Sequence, residues 1–253
     1  MRATLNSISS IVSCDGEQVV TKVPLSSGER IFAIQLRRSV RAKGLRLRVD
    51  PRTGGVLLTV PNRVSEKKAL AWAAGHRAWI ERQLAAVPPA AAIEPGATIP
   101  LYGVPHTLDW SPERTRTVRV EPGRVVTGGP LDSLEPRLLR WLPRHALEVL
   151  TADTNLYADR AGVTVEKVGI GDTRSRWGSC SSTGAIRYSW RLILAPAYVR
   201  RATAAHEVAH RVHMNHGSAF HALVAELYGA DPAPAREWLR REGAALHRFG
   251  RRA

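Results

Sequence analysis

The segment His206-Glu207-Val208-Ala209-His210 decides how the rest of the chain is interpreted. Each residue of an α-helix advances by about 100°, so His206 and His210 are expected on one face, about 40° and one turn apart. Two imidazoles in that position can bind one cation. Glu207 is expected beside that face, where it can reach a water on the metal without being a ligand. The pattern is typical of zincins, in which two helical histidines bind zinc and a glutamate is the general base.

A catalytic zinc ion usually has three protein ligands and one open position, so a third ligand is expected. The candidates are His213, His216 and His221. His213 shares the helix face, but a straight helix places it about 4.5 Å further along the axis than His210. His216 lies in an Asn-His-Gly sequence that lets the chain turn back toward the metal. The geometry therefore favours His216, then His221, then His213.

A wider set of residues carries a resemblance to a known family. It consists of RSRWGSCS at 174–181, the segment 186–196, the motif at 206–210 and NHGSAF at 215–220. Together these segments resemble the YgjP-like proteins, bacterial zinc metallopeptidases related to the SprT and WLM proteases. The resemblance extends over residues 31–230.

The resemblance implies a peptidase with a zinc cofactor and a protein or peptide substrate. It implies that His206, His210 and His216 bind the zinc and that Glu207 is the catalytic base. Two residues differ from those usual in the family: Val208, which follows the motif glutamate, and Arg211, which follows the second motif histidine. Both changes leave the expected ligands intact.

Three further residues are candidates for substrate binding. Arg174 and Arg176 can stabilise an oxyanion or bind a substrate carboxylate, and the alternative is an ion pair with Asp172. Tyr188 is a weaker candidate for oxyanion stabilisation, on a strand that can offer its edge to an extended substrate. By contrast, Trp177 is interpreted as a core residue, and Cys180 is interpreted as a small packed residue.

The pattern along the chain predicts an α+β fold. A β-rich N-terminal half is expected to precede a zincin-like, mainly helical metallopeptidase half with a small sheet. The expected divisions are a loose leader at 1–25, a β-rich part with one helix at 26–130, and the metallopeptidase part at 131–253. Residues 45–49 alternate with period two, turn residues follow them, and residues 56–60 return as a second strand, which predicts a hairpin. Ser65 is expected to cap a helix that ends before Pro88. In the metallopeptidase part, strands are expected at 163–170 and 185–194.

The composition excludes several classes of protein. With 44% apolar and 23% charged residues, the 253-residue chain is typical of a globular protein rather than a disordered one. It has no apolar run of membrane-spanning length, no secretory signal is recognisable, and two cysteines are no disulfide framework. We therefore expect no membrane partner and a cytoplasmic location.

The charge suggests one further partner. With 37 basic and 22 acidic residues, the net charge is +15, and arginines cluster between 37 and 48 and between 236 and 252. Such surfaces can contact DNA phosphates, and they can equally be solvated faces. Two alternatives to the peptidase stay open: a metal-dependent hydrolase of a non-peptide substrate, and a basic nucleic-acid-binding protein with a structural metal.

Overall fold

A computed structural model of the chain describes residues 23–24, 33–50, 53–87, 89, 91–173 and 176–250. With 45% helix and 25% strand, it confirms the predicted α+β class. The chain divides into two compact units, unit 1 (Met1–Pro89) and unit 2 (Ala90–Ala253).

Unit 1 contains one four-stranded sheet and two helices. Its elements are β1 (Val23–Pro24), β2 (Ala33–Ser39), β3 (Arg46–Val49), β4 (Val56–Pro61), α1 (Glu66–Gly75) and α2 (Arg77–Ala85). The strand order is β1-β2-β4-β3, in which β2 and β4 are parallel and both outer pairs are antiparallel. The pairing of β3 with β4 confirms the predicted hairpin. The strand β1 lies in the predicted leader, which otherwise falls outside the described residues.

The helices of unit 1 cover one face of the sheet. The core contains Ile34 and Leu36 of β2 together with Ala69, Ala73 and Ile80 of the helices. Burial of these apolar side chains is the main stabilisation of the unit.

The helical segment after Ser65 begins as predicted but is interrupted. The Ser65 side chain accepts a hydrogen bond from the backbone N–H of Lys68 at 3.3 Å, as expected of an N-cap. The prediction of one continuous helix is wrong, because α1 ends at Gly75 and α2 begins at Arg77. Between them His76 donates from Nδ1 to the carbonyl oxygen of Trp72 at 2.8 Å.

Unit 2 contains two small sheets and most of the helical residues. Its first part comprises β5 (Thr98–Leu101), β6 (Val104–Ser111), β7 (Arg119–Glu121), β8 (Arg124–Gly128), a 3₁₀ turn (Leu131–Ser133) and α3 (Leu134–Ala161). Its second part comprises β9 (Lys167–Gly171), β10 (Gly178–Cys180), β11 (Ala185–Ser189), a 3₁₀ helix (Trp190–Leu194), α4 (Ala197–Ala209), α5 (Ser218–Tyr228) and α6 (Ala233–Arg248).

The two four-stranded sheets have the same topology. The sheet in unit 2 has the order β5-β6-β8-β7, again with a parallel central pair and antiparallel outer pairs. The remaining sheet has the order β10-β11-β9, in which β11 is antiparallel to β10 and parallel to β9.

One hydrophobic core joins the first sheet of unit 2 to its helices. Leu101 and Leu108 of that sheet belong to the same buried cluster as Leu138 of α3 and Val208 of α4. The compact unit therefore begins at residue 90, whereas the sequence placed the division at 130. The helix α3 continues through Pro143.

Two strands of unit 2 differ from their predicted extents. The strand predicted at 163–170 begins only at Lys167. The strand predicted at 185–194 ends at Ser189, and the chain continues as a 3₁₀ helix whose five residues are all buried. The strand β10 was not predicted. No helix in the described part of the chain is long and apolar enough to cross a bilayer.

Candidate metal centre

Three histidines meet where α4 ends. His206 lies in the last turn of α4, His210 is the residue that follows the helix, and His216 comes from the loop before α5. Each offers one ring nitrogen, and these nitrogens all lie within 4.8 Å of one another. The Nε2 atoms of His206 and His216 are 3.3 Å apart. The structure thus brings together the three histidines that the sequence favoured.

The other two candidate histidines lie outside this group. The Nδ1 atom of His210 donates to the backbone carbonyl of His213 at 3.1 Å. Because a carbonyl only accepts, Nδ1 carries the proton and the lone pair of His210 is on Nε2. His213 therefore orients a candidate ligand through its backbone. The ring of His221 has its centroid 6.3 Å from that of His216.

The ring of Phe220 packs against all three histidines. Its centroid lies 4.9 Å from that of His206, 4.5 Å from that of His210 and 4.7 Å from that of His216. Phe220 is fully buried in the first turn of α5, so it fixes the rings from the protein interior. No role was predicted for Phe220, although it lies in the segment 215–220 that carries the family resemblance. Its contact with the histidines depends on the turn before α5, which the local pattern does not define.

The environment of His206 and His210 favours their neutral form. Burial, followed by the neighbouring His210 and His216, lowers the pKa of His206 to about 4. Burial also lowers the pKa of His210, although its bond to the His213 carbonyl acts in the opposite direction. Metal ions bind the neutral form of imidazole, so His206 and His210 are suited to a transition metal such as zinc, and the ring of His216 lies within reach of the same ion.

Glu207 lies beside the histidines but is enclosed. It is only 5% exposed, and burial raises the pKa of its carboxyl to about 7, against the opposing effect of Arg176. Gly178 of β10 lies against it: a Cβ atom at residue 178 would come within 2.6 Å of the Glu207 Cγ. Only glycine leaves room for this carboxylate. A carboxyl with a pKa near neutrality is suited to proton transfer at physiological pH.

Two cavities share a wall formed by Gly178, His206 and Glu207. One, of about 250 Å³, is mainly apolar and includes Trp177. The other, of about 300 Å³, is polar and includes Arg176 together with the remaining two histidines. Residues 176–180 of the segment that carries the family resemblance therefore line the two cavities.

The predicted substrate-binding residues differ in their positions. Arg174 lies outside the described residues, and Arg176 is exposed on the polar cavity. Tyr188 is fully buried, and its hydroxyl is hydrogen-bonded to that of Thr154 at 3.0 Å. This side chain belongs to the core and lines neither cavity, which argues against the role predicted for it. Asp172, considered as a partner for the arginines, pairs with Arg191 at 2.8 Å.

A buried ion pair joins α4, the helix that contains His206, to α3. Arg200 of α4 donates to Asp153 of α3 at 2.5 Å, and both side chains are more than nine-tenths buried. Sequence patterns gave no signal for this pair, because the two residues are 47 positions apart.

A buried carboxyl beside three imidazoles that meet at one point defines a candidate metalloenzyme centre. The model of the YgjP-like metallopeptidase domain family matches residues 43–242, and the chain belongs to that family. The predicted family is thereby confirmed, and a metallopeptidase family implies a metal cofactor. Comparisons with curated proteins and with solved structures gave no significant match.

Proposed function

We propose that the chain is a zinc-dependent peptidase with a zincin-like centre. His206, His210 and His216 are the proposed zinc ligands, and Glu207 is the proposed general base. The observation that carries the proposal is the meeting of three imidazole nitrogens within 4.8 Å beside a buried carboxyl. The family assignment supports hydrolysis of peptide bonds.

The residues divide the chemistry between them. When bound, zinc supplies Lewis-acid chemistry, which polarises a carbonyl and makes water a nucleophile at neutral pH. Glu207 takes a proton from the attacking water on its carboxylate and delivers it to the leaving amine.

Arg176 is proposed to contribute positive charge to the substrate site. It is exposed on the polar cavity that includes His210 and His216. A guanidinium there is suited to the developing oxyanion or to a substrate carboxylate. Arg174 stays a candidate for the same role on the basis of the sequence alone.

Removal and return of the metal test the proposal. The purified protein should cleave peptides of a mixed library, lose that activity after treatment with a chelator, and regain it when one equivalent of zinc is added. Full activity in metal-free protein would contradict the proposal. Hydrolysis of non-peptide esters without any peptide cleavage would favour the alternative of a metal-dependent hydrolase with another substrate.

A second candidate function is phosphate contact by unit 1, which we propose separately. Arg37 of β2, Thr59 of β4 and Arg46 of β3 are direct cross-strand neighbours on the sheet face opposite to the helices. They line a concavity of about 450 Å³ together with Arg41 and Lys43. Within the described residues, no ion pair joins an acidic side chain to Arg37, Arg41, Lys43 or Arg46. Such a surface favours the phosphate backbone of DNA.

A charge-matched pair of variants tests this second candidate. Reversal of two cations in Arg37→Glu/Arg46→Glu should weaken binding of a labelled duplex about tenfold or more and flatten its salt dependence. Lys67→Glu/Lys68→Glu changes the net charge equally on α1, at the other face of the sheet, and should have a smaller effect. Equal effects of both variants would mean that the surface is only a solvated basic face.

A further inference from the structure

We propose that the apolar cavity beside His206 and Glu207 binds one large apolar side chain of the substrate, next to the scissile bond. This inference rests on the proposed peptidase function and adds a substrate preference to it. The position of the cavity carries the argument, since it shares Gly178, His206 and Glu207 with the polar cavity at the three histidines. A chain bound at the proposed zinc site therefore has this cavity immediately beside it.

The walls of the cavity are mostly hydrocarbon. Val224 of α5 and Leu239 of α6 line it together with Trp177, Ala202 and Ala235. These residues come from three helices and from the chain before β10, so separate elements of unit 2 form the walls of the cavity. An apolar side chain gains free energy when it leaves water for such a surface, whereas a polar one loses hydrogen bonds.

The Trp177 side chain is held in place as part of this wall. Gly243 of α6 gives it room, because a Cβ atom at residue 243 would come within 2.7 Å of the indole Cζ2. The ring of the buried His247 lies 5.0 Å from the indole, measured between centroids. The cavity wall is thus built before any substrate arrives, which lowers the entropic cost of binding.

The volume limits what can enter. About 250 Å³ is less than the range of about 300–1,000 Å³ that is usual for pockets that hold an entire small molecule. The cavity therefore suits a single side chain such as that of leucine or phenylalanine rather than a whole ligand.

Charge at the cavity argues against basic side chains. Arg236 of α6 is an exposed residue that lines the cavity. Its guanidinium repels a lysine or arginine side chain that approaches from solvent, and the carboxylate of Glu207, which also lines the cavity and would attract such a side chain, is absent from Glu207→Gln. The expected order of preference is therefore leucine or phenylalanine, then glycine, with lysine no better than glycine.

Binding to an inactivated protein tests the cavity independently of catalysis. Labelled heptapeptides of glycine and serine with one central leucine, glycine or lysine would be titrated by fluorescence anisotropy against zinc-loaded Glu207→Gln. The leucine peptide should bind about tenfold more tightly than the other two, the usual scale for a side chain in an apolar pocket. Ala235→Leu, added to that protein to fill the cavity, should abolish the advantage of leucine.

Two further variants make the result decisive. Ala222→Leu adds the same side chain at an exposed position of α5, away from the cavity, and should leave the preference unchanged. Leu239→Ala enlarges the cavity and should favour a tryptophan peptide over the leucine peptide. Equal binding of the leucine, glycine and lysine peptides, or a leucine preference that survives Ala235→Leu, would overturn the inference.

Cleavage of the same peptides by the wild-type protein separates this inference from the proposed function. Selective binding without cleavage of any peptide would support the cavity and count against the peptidase. Cleavage without selective binding would support the peptidase and count against the cavity.

Discussion

Gly178 of β10 lies directly against Glu207 of α4, so close that a Cβ atom at residue 178 would come within 2.6 Å of the Glu207 Cγ. The strand therefore sets the position of the proposed base, and the glycine of the Trp-Gly-Ser-Cys segment has a physical reason. Glu207 is buried in the interior, so it has little freedom to move away from an added methyl group.

Gly178→Ala should thus impair catalysis while the zinc site stays intact. A displacement of the Glu207 carboxylate by about 1 Å is expected to reduce kcat about 10²-fold. Zinc content should be unchanged, because the atoms nearest to an added Cβ at residue 178 belong to Glu207 and not to a histidine. Steady-state kinetics on a cleaved peptide and metal analysis of the same sample are the measurements.

Gly169→Ala is the matched control for this prediction. Gly169 lies on β9 in the same sheet, where an added Cβ would be 3.9 Å from the carbonyl oxygen of Ile186, an ordinary contact. A kcat reduced equally by both substitutions would show that general loss of sheet stability, and not the position of Glu207, explains the effect.

Substitution of single histidines should identify the third zinc ligand. His216→Ala should weaken zinc binding more than tenfold, since even residues that only support a ligand account for about 10–100-fold. His213→Ala should have almost no effect, because the carbonyl that binds His210 belongs to the backbone and is retained. Competition with a chromogenic chelator measures these affinities. A larger effect of His221→Ala than of His216→Ala would refute the assignment.

Phe220 should support both the fold and the metal site. Phe220→Ala removes a fully buried ring and should lower the free energy of unfolding by about 3–5 kcal/mol. It should also weaken zinc binding, because the ring packs on all three histidines. Phe249→Ala, in the same core, is expected to destabilise the protein without a matching loss of zinc affinity. If both variants lose zinc equally, stability alone accounts for the effect.

The ion pair between α3 and α4 should contribute strongly to stability. Asp153→Ala leaves Arg200 buried without its carboxylate partner and should lower the free energy of unfolding by about 3–5 kcal/mol. Glu237→Ala removes the partner of Arg240 on the exposed face of α6 and should leave the free energy of unfolding almost unchanged. Urea unfolding of both variants checks the difference. A small effect of Asp153→Ala would mean that water reaches Arg200.

Local patterns were sufficient for several elements of the fold. Alternation of apolar residues predicted β3, the turn residues after it predicted the return strand β4, and the Ser65 cap predicted the start of α1. The spacing of His206 and His210 predicted that the two side chains lie close together, and the turn at Asn215 led to His216 as the third histidine. Each of these inferences depends on residues close together in the chain.

The parts that were not predicted depend on distant contacts. The run after Ser189 is as apolar as a buried strand, but it forms a 3₁₀ helix, and periodicity cannot distinguish these in a short run. The strand β10 has three residues and forms only by pairing with β11. The contact between Gly178 and Glu207 joins residues 29 positions apart, so no local pattern reports it.

The central claim is that Glu207 is the base of a zinc peptidase, and the rate of peptide hydrolysis by zinc-loaded Glu207→Gln tests it most directly. Glutamine keeps the shape of the side chain but cannot accept the proton. The account predicts that this variant retains its zinc and its fold and loses about 10²–10⁴-fold in kcat relative to the wild type. A zinc-loaded Glu207→Gln protein that hydrolyses peptides at the wild-type rate would contradict the account.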